Sequence, residues 1–339
     1  MTDATRDRAP AARSWDSYRP VRRIQALLVV VAALALVPAV ASSVMRVVPP
    51  LDDATAMVAS FIAYGLVGYA IALPLLLVAT LRSRRRVVLA VVSLCVAALA
   101  ALHLSWEVPL FIADGRPART PTFTVMSLNL YNGAADSAEI AQHATEADVV
   151  ILVETTPAAL AGLGPHGWRA RFPYSVGDLT AAVSNTVIYS RFPLDRGTLI
   201  DTSFQQWLTT VQVPEVGAVT VMAVHPCNPF CGGHRWAGEH AMINRIARGH
   251  LDQPLVMAGD FNAVDDHGPM RDLRRLGLKS ATDVVGAGWL PTWPANRGYP
   301  PLIPLDHVLI DPQLTATAVR TFTVSGTDHR GVLATLAGA

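Results

Sequence analysis

The chain has 339 residues, 51% of them hydrophobic and only 16% charged, against roughly a quarter charged in an ordinary soluble domain. Such a composition excludes an intrinsically disordered chain and a uniformly soluble one. The net charge of +1 conceals two unlike parts: residues 1–120 hold 13 arginines against 7 acids, hence +6, and residues 121–339 hold 14 Lys and Arg against 19 acids, hence −5. Because gripping a phosphate backbone takes clustered Lys and Arg, the acidic second part disfavours a nucleic-acid partner.

Three uncharged apolar windows, 24–44, 56–81 and 87–106, each approach the roughly twenty helical residues that cross a ~30 Å hydrocarbon core. A cleaved signal peptide is the alternative for the first, since Arg22 and Arg23 precede it and Ala41-Ser42-Ser43 closes it. Its length and the two windows that follow favour an anchor. Arg6, Arg8, Arg13, Arg19, Arg22 and Arg23 precede the first window, Arg82, Arg84, Arg85 and Arg86 fill the turn between the second and third, and Arg46 in the remaining loop is balanced by Asp52 and Asp53. The positive-inside rule then places the N-terminus in the cytoplasm and everything after Trp106 outside. The expected organisation is a cytoplasmic segment 1–23, a three-helix transmembrane anchor 24–106, a short stiff tether 107–121 and an extracytoplasmic domain 122–339, in a multi-pass protein of the plasma membrane.

Cys95 lies in the third window. Cys227 and Cys231 form a C-x3-C pair without a second pair to complete a tetrahedral zinc set. In an oxidising compartment a local disulfide is expected; buried thiols are the alternative.

From residue 121, short runs of Val, Thr and Ile bounded by Gly, Pro, Asn and Asp predict strands near 122–128, 148–153, 186–190, 207–213, 218–224, 255–258, 307–310, 318–324 and 332–336. Helical periodicity fits 136–146, 235–250 and 268–276, the middle one with Trp236, His240, Ile243, Ile246 and Ala247 on one stripe. Many strands and few helices predict two packed β-sheets with helices outside.

Chemistry gathers at the predicted strand ends: Asn129, Glu154, His225, Asp260-Phe261-Asn262, Asp306-His307 and Asp328-His329. Apolar strands that each deliver a carboxylate, amide or imidazole can aim them at one point. Singly, each has a plainer reading, such as turn formers for Asp260 and Asn262 or a strand-edge residue for Asp306. Six in order favour a site.

This ordered set resembles the endonuclease/exonuclease/phosphatase superfamily, which includes deoxyribonuclease I, inositol-polyphosphate phosphatases and sphingomyelinases. The resemblance covers residues 122–338, with Gly259-Asp260-Phe261-Asn262 and Asp328-His329 as its most specific blocks. It implies an α/β fold, a four-layer α/β sandwich of two packed β-sheets flanked by helices, a site at the top of the sheets, and a divalent metal, usually Mg²⁺, with Mn²⁺ as the alternative. With three preceding spans the layout is similar to the VanJ-type teicoplanin-resistance membrane proteins, which implies a link to antibiotic resistance. The roles implied are Glu154 as the primary metal ligand with Asn129 beside it, on the metal or one layer out, Asp328 completing the metal's surroundings or fixing a neighbouring histidine, and Asp260 as the base for the attacking water beside Asn262. His329, oriented by Asp306, and His225 would donate to the phosphoryl oxygens. Tyr131 and Asn132 stand where some nucleases of the family carry an acid, and His225 stands where the abasic-site repair branch has tyrosine.

An outward site on a short tether predicts a membrane lipid phosphate as substrate, such as undecaprenyl pyrophosphate. An outer-surface nuclease and a sphingomyelinase-like phosphodiesterase are the alternative activities, and a catalytically silent scaffold is disfavoured by the complete residue set. No protein partner is inferred. Arg235, opening a predicted helix, could hold a phosphate or be an ordinary surface residue. The stretch 289–304, with Trp293 and Tyr299, could border an apolar groove or be a packed loop.

Overall fold

The computed structural model describes residues 19–48, 52–83, 85–180, 185–232 and 234–339, so most of the expected cytoplasmic segment and Arg84 lie outside the described residues. Four helices come first: α1 (Arg19–Val47), α2 (Asp53–Ala59), α3 (Gly65–Leu81) and α4 (Arg86–Glu107). Three segments, Arg23–Val47, Ile62–Leu81 and Arg86–Phe111, are long and apolar enough to cross a membrane. Leu34, Val37 and Leu94 on these helices are each about 70% exposed, side chains that a hydrocarbon phase would cover and water would not. Small residues let α1 and α3 approach closely: a Cβ added to Gly68 would lie 2.5 Å from the Ala35 carbonyl oxygen. Ser43 Oγ lies 2.8 Å from Tyr69 Oη and 2.9 Å from His103 Nδ1.

The chain divides into two compact units, one ending at Ser43 and resuming over Tyr64–Leu104, the other formed by Val44–Ala63 with Ser105–Ala339. The expected second window, 56–81, therefore splits. Its first residues lie in α2, a separate helix capped by Asp52, whose Oδ1 accepts from Thr55 N at 2.8 Å while Asp52 N donates to Thr55 Oγ1. Ala56 is buried with Trp236, Ile243 and Met270, and its carbonyl lies 2.8 Å from His267 Nε2. Hydropathy did not separate an apolar residue facing a protein core from one facing lipid.

Among the described residues the remaining chain forms twelve strands: β1 (Phe123–Asn129), β2 (Val149–Thr155), β3 (Tyr174–Gly177), β4 (Asn185–Ser190), β5 (Thr198–Ile200), β6 (Gln206–Val213), β7 (Gly217–Val224), β8 (Leu255–Asp260), β9 (Lys279–Ser280), β10 (Asp306–Ile310), β11 (Leu314–Phe322) and β12 (Gly331–Gly338). Among them lie α5 (Ser137–His143), α6 (Pro157–Leu163), α7 (Trp168–Arg171), α8 (Arg235–Arg248), α9 (Gly268–Arg275) and α10 (Ala281–Val284). One sheet has the order β11-β12-β1-β2-β4-β3 and the other β5-β6-β7-β8-β10-β9.

Period-two alternation builds the layers. Val125, Val149, Ile151, Val256 and Ala258 point into the core shared by the sheets, and Met126, Leu128, Val150 and Leu152 point outward onto α5 and α6. Leu255 and Met257 point the other way, onto Trp236 and Ile243 of α8. The result is the four-layer sandwich of two mixed sheets flanked by helices.

Beneath that outer layer His240 and His267 are both fully enclosed. Burial lowers His240 to about 3 and His267 to about 4, the bond to Ala56 opposing the second shift. Both are neutral when folded, and when unfolded take up protons near pH 6.5. Their contribution is present above that pH and is lost as pH falls towards 4. The detergent-solubilised full chain should therefore lose several degrees of Tm between pH 7 and pH 5, and His240→Leu should weaken that dependence. A Tm flat across this interval would contradict the assignment.

Candidate active site

Strand direction brings the chemistry to one edge. β1 runs parallel to β2, and β7 to β8, so four C-terminal ends share that edge. β10 and β12 run antiparallel to β8 and β1, so their beginnings arrive there too, with Asp306 directly opposite Asp260. Asn129 and Glu154 come from the first sheet, His225 and Asp260 from the second, and Asp328 and His329 from the turn before β12.

Backbone features aim the groups. Glu154 adopts φ +52° at a register shift of β2 against β4, a bulge that re-aims its carboxylate. Gly259 has φ +149°, and a Cβ there would stand 1.9 Å from the Val224 carbonyl oxygen, so only glycine lets β7 and β8 come this close before Asp260.

Asn129 is the centre of the hydrogen bonding. Its Nδ2 donates to Glu154 Oε1 at 3.0 Å and to Asp260 Oδ2 at 3.1 Å, and its Oδ1 accepts from Tyr131 N at 2.8 Å. Asn129 thus bridges two carboxylates through its amide nitrogen while its amide oxygen accepts a backbone N–H. Asp260 Oδ1 accepts from Asn262 N at 2.8 Å, and Asn262 Nδ2 donates to the Pro226 carbonyl at 3.0 Å. His329 Nδ1 lies 2.8 Å from Asp306 Oδ2, with Nε2 3.7 Å from Asp260 Oδ2. Asp328 Oδ2 accepts from the Trp293 indole at 3.1 Å.

Burial opposes charge on His329, but the Asp306 and Asp260 carboxylates override it and raise the imidazole to about 10. Burial raises Asp260 to about 7, opposed by the His329 charge. His225, stacked on Phe204 at 4.8 Å, is lowered to about 4 by burial and stays neutral. It lies beneath the cleft surface, with Nε2 3.7 Å from Glu154 Oε1 and 3.9 Å from Asp260 Oδ2.

The site has the character of a cation site. Asp260, Asp306 and His329 each offer a ligand atom within 4.8 Å of the others. This tight group differs from the expected set of Glu154, Asn129 and Asp328, and its imidazole holds a proton between two carboxylates. Buried Oδ1 atoms of Asp306 and Asp328 and both ring nitrogens of His225 have no hydrogen-bond partner among the described residues. Hard carboxylate oxygens with unused acceptor capacity suit a divalent cation, which would also neutralise an acidic cleft for a phosphate.

The site opens into a cleft of about 420 Å³ lined by Glu154, Asp260, Asn262, Asp328, His329, Tyr131, Asn132, Asn228, Phe230, Trp293, Ile303 and Leu305, together with Met57, Ser60 and Phe61. Trp293 and Ile303 of the stretch 289–304 border it and Tyr299 does not, whereas Met57, Ser60 and Phe61 were missed because they read as membrane span. The Asp52-x-x-Thr55 capping pattern was the signal that could have separated them. Arg235 begins α8 as an exposed residue and is not among those lining the cleft. Cys227 and Cys231 are bonded, with Cα atoms 6.2 Å apart, in the turn after His225.

A comparison with curated proteins finds no match. Solved structures similar in fold include an endonuclease/exonuclease/phosphatase from Beutenbergia cavernae DSM 12333 (22% identity, 65% of this chain and 72% of that one, TM-score 0.54). Truncated Caenorhabditis elegans TDP2 is similar at 15% identity, 64% and 98% coverage and TM-score 0.52. The 3' phosphatase NExo from Neisseria, bound to product DNA hairpin, is similar at 18% identity, 62% and 98% coverage and TM-score 0.50. The profile of one family matches residues 126–329, the stretch that carries every strand end of the site from Asn129 to His329, and the chain accordingly belongs to the Endonuclease/Exonuclease/phosphatase family of metal-dependent phosphoesterases.

Proposed function

We propose that the protein is a membrane-anchored hydrolase of lipid phosphate esters or pyrophosphates, such as a polyprenyl pyrophosphate, with its site on the extracytoplasmic side. The observation that carries the chemistry is the buried Asp260 carboxylate, held by Asn129 and Asn262 beside the Asp306–His329 pair at the floor of an open cleft. Asp260, raised to about 7, is suited to take a proton from water near neutral pH. The water oxygen then bonds to phosphorus, and the bond to the leaving oxygen breaks with its electron pair, which takes up a proton. His329, fixed by Asp306, donates to the phosphoryl oxygen where charge builds. Asn262 positions the water, and neutral His225 supports the Glu154 and Asp260 carboxylates from below. Glu154 and Asp328 would hold the divalent ion, with Mg²⁺ the natural choice for this oxygen set; bound there, it supplies charge neutralisation for the phosphate.

Asp260→Asn should lower kcat by about 10²–10⁴-fold with little change in Mg²⁺ affinity. Glu154→Gln should chiefly raise the Mg²⁺ concentration needed for half-maximal rate. Near-normal turnover by Asp260→Asn would overturn these roles.

The substrate side rests on the three apolar helices and on the −5 charge of residues 121–339, which gives a polyanion no long-range attraction. Phosphate release from undecaprenyl pyrophosphate in mixed micelles should exceed cleavage of plasmid DNA at matched Mg²⁺ and low salt, with Asp260→Asn as the blank. The similar Neisseria 3' phosphatase, bound to a DNA product, favours a DNA-cleaving enzyme as the second reading. Rapid DNA cleavage without lipid turnover would establish it.

The arginines flanking the apolar segments support an outward domain. Protease added to intact spheroplasts should then remove residues 121–339, and protection until lysis would reverse the orientation.

A further inference from the structure

The cleft has two chemically distinct ends. Its floor is buried carboxylates and an imidazole; its more exposed rim is Met57, Phe61, Tyr131, Phe230 and Trp293. Phe61 is 41% exposed, Tyr131 45% and Phe230 77%, an apolar, aromatic border that a phosphate does not need. A rim of this kind would bind hydrocarbon attached to the phosphate at the floor, and a volume of about 420 Å³ is in the range of small-molecule sites.

The α2 segment that supplies Met57 to the rim is fixed in place. Arg46, two residues into the same unit, forms an ion pair with Asp266 and lies over the Trp106 ring at 5.3 Å. Arg271 donates to the Arg46 carbonyl. Farther along, Ala56 is buried and tied to His267, and the Asp52 cap sets the start of α2. Met57 and Phe61 therefore stand at defined positions, in a stretch that the chain enters from one apolar segment and leaves into the next.

We propose that Met57 and Phe61, with Phe230 of the neighbouring 229–231 turn, form a tail-recognition site that makes the segment between the first two apolar helices a specificity element. It selects phosphate or pyrophosphate esters of long hydrocarbon alcohols by contacting the carbons of the chain beyond the ester oxygen. The inference rests on the hydrolase reading above and names what that active site discriminates. Acyl-glycerol or sugar-bearing esters, which place branched polar groups at those carbons, fit the apolar rim less well.

The test is kcat/KM for isopentenyl, geranyl and farnesyl pyrophosphate, measured with the full chain in micelles at one detergent concentration. In the native protein the farnesyl to isopentenyl ratio should be at least about tenfold, because each added isoprene brings apolar area to the rim. Phe61→Ser and Met57→Ser should bring the ratio close to one. Phe230→Ser, at a residue too exposed to matter for folding, should lower it in the same direction. Ratios equal to the native value in all three variants would overturn the tail site while leaving the hydrolase intact. No phosphate release from any of the three pyrophosphates would remove both.

Discussion

The amide of Asn129 is the joint on which the site depends. It projects from the first sheet and donates at once to Glu154 of that sheet and Asp260 of the second. Two carboxylates brought this close repel each other in a poorly solvated setting, and a shared neutral donor lessens that repulsion without adding charge. Asn129 is itself fixed at both ends, through the Tyr131 N–H on its amide oxygen and the Thr327 hydroxyl on its backbone carbonyl at 2.7 Å. The same Thr327 hydroxyl accepts from His329 N at 3.1 Å. One asparagine thereby sets the spacing of the Glu154 carboxylate, the Asp260 carboxylate and the His329 imidazole.

The central strands were legible because both faces of each are buried, so β1, β2, β7 and β8 read as nearly continuous apolar runs between turn residues. β3, β5 and β9 were not foreseen. They are short edge strands with mostly exposed residues, such as Tyr174 and Leu199, and little in their local sequence separates them from loop. Short helices such as α6 escaped for a related reason: seven residues are too few to show a period, although Thr156 followed by Pro157 is a helix-start signal.

The site was legible as a list of strand ends but not as an arrangement. Sequence order put Asn129, Glu154, Asp260, Asp306 and His329 at candidate strand ends, and parallel pairing of β1 with β2 and β7 with β8, with β10 and β12 antiparallel to them, made those ends coincide. Burial was not encoded locally: His225 looks the same in sequence whether it faces solvent or lies under Phe204. The amide orientation of Asn129 likewise depends on a turn, Leu130 to Ala134, that a strand pattern does not describe. Arg235 illustrates the opposite error, since a helix start attracts anions in general, yet this one is away from the cleft lining.

The catalytic unit is discontinuous in the chain. Ala56 and its partner His267 are 211 positions apart, with α3, α4 and most of both sheets made in between. During synthesis the α2 segment leaves the ribosome long before the surface it packs against, and on its own it is too short to hold a helix. The finished rim therefore forms late, after β8 and α9 are in place. A soluble fragment begun at residue 107 or later, the obvious choice for crystallisation or assay, would carry the floor of the site without this wall and would leave the His267 imidazole and the core around Trp236 open to water.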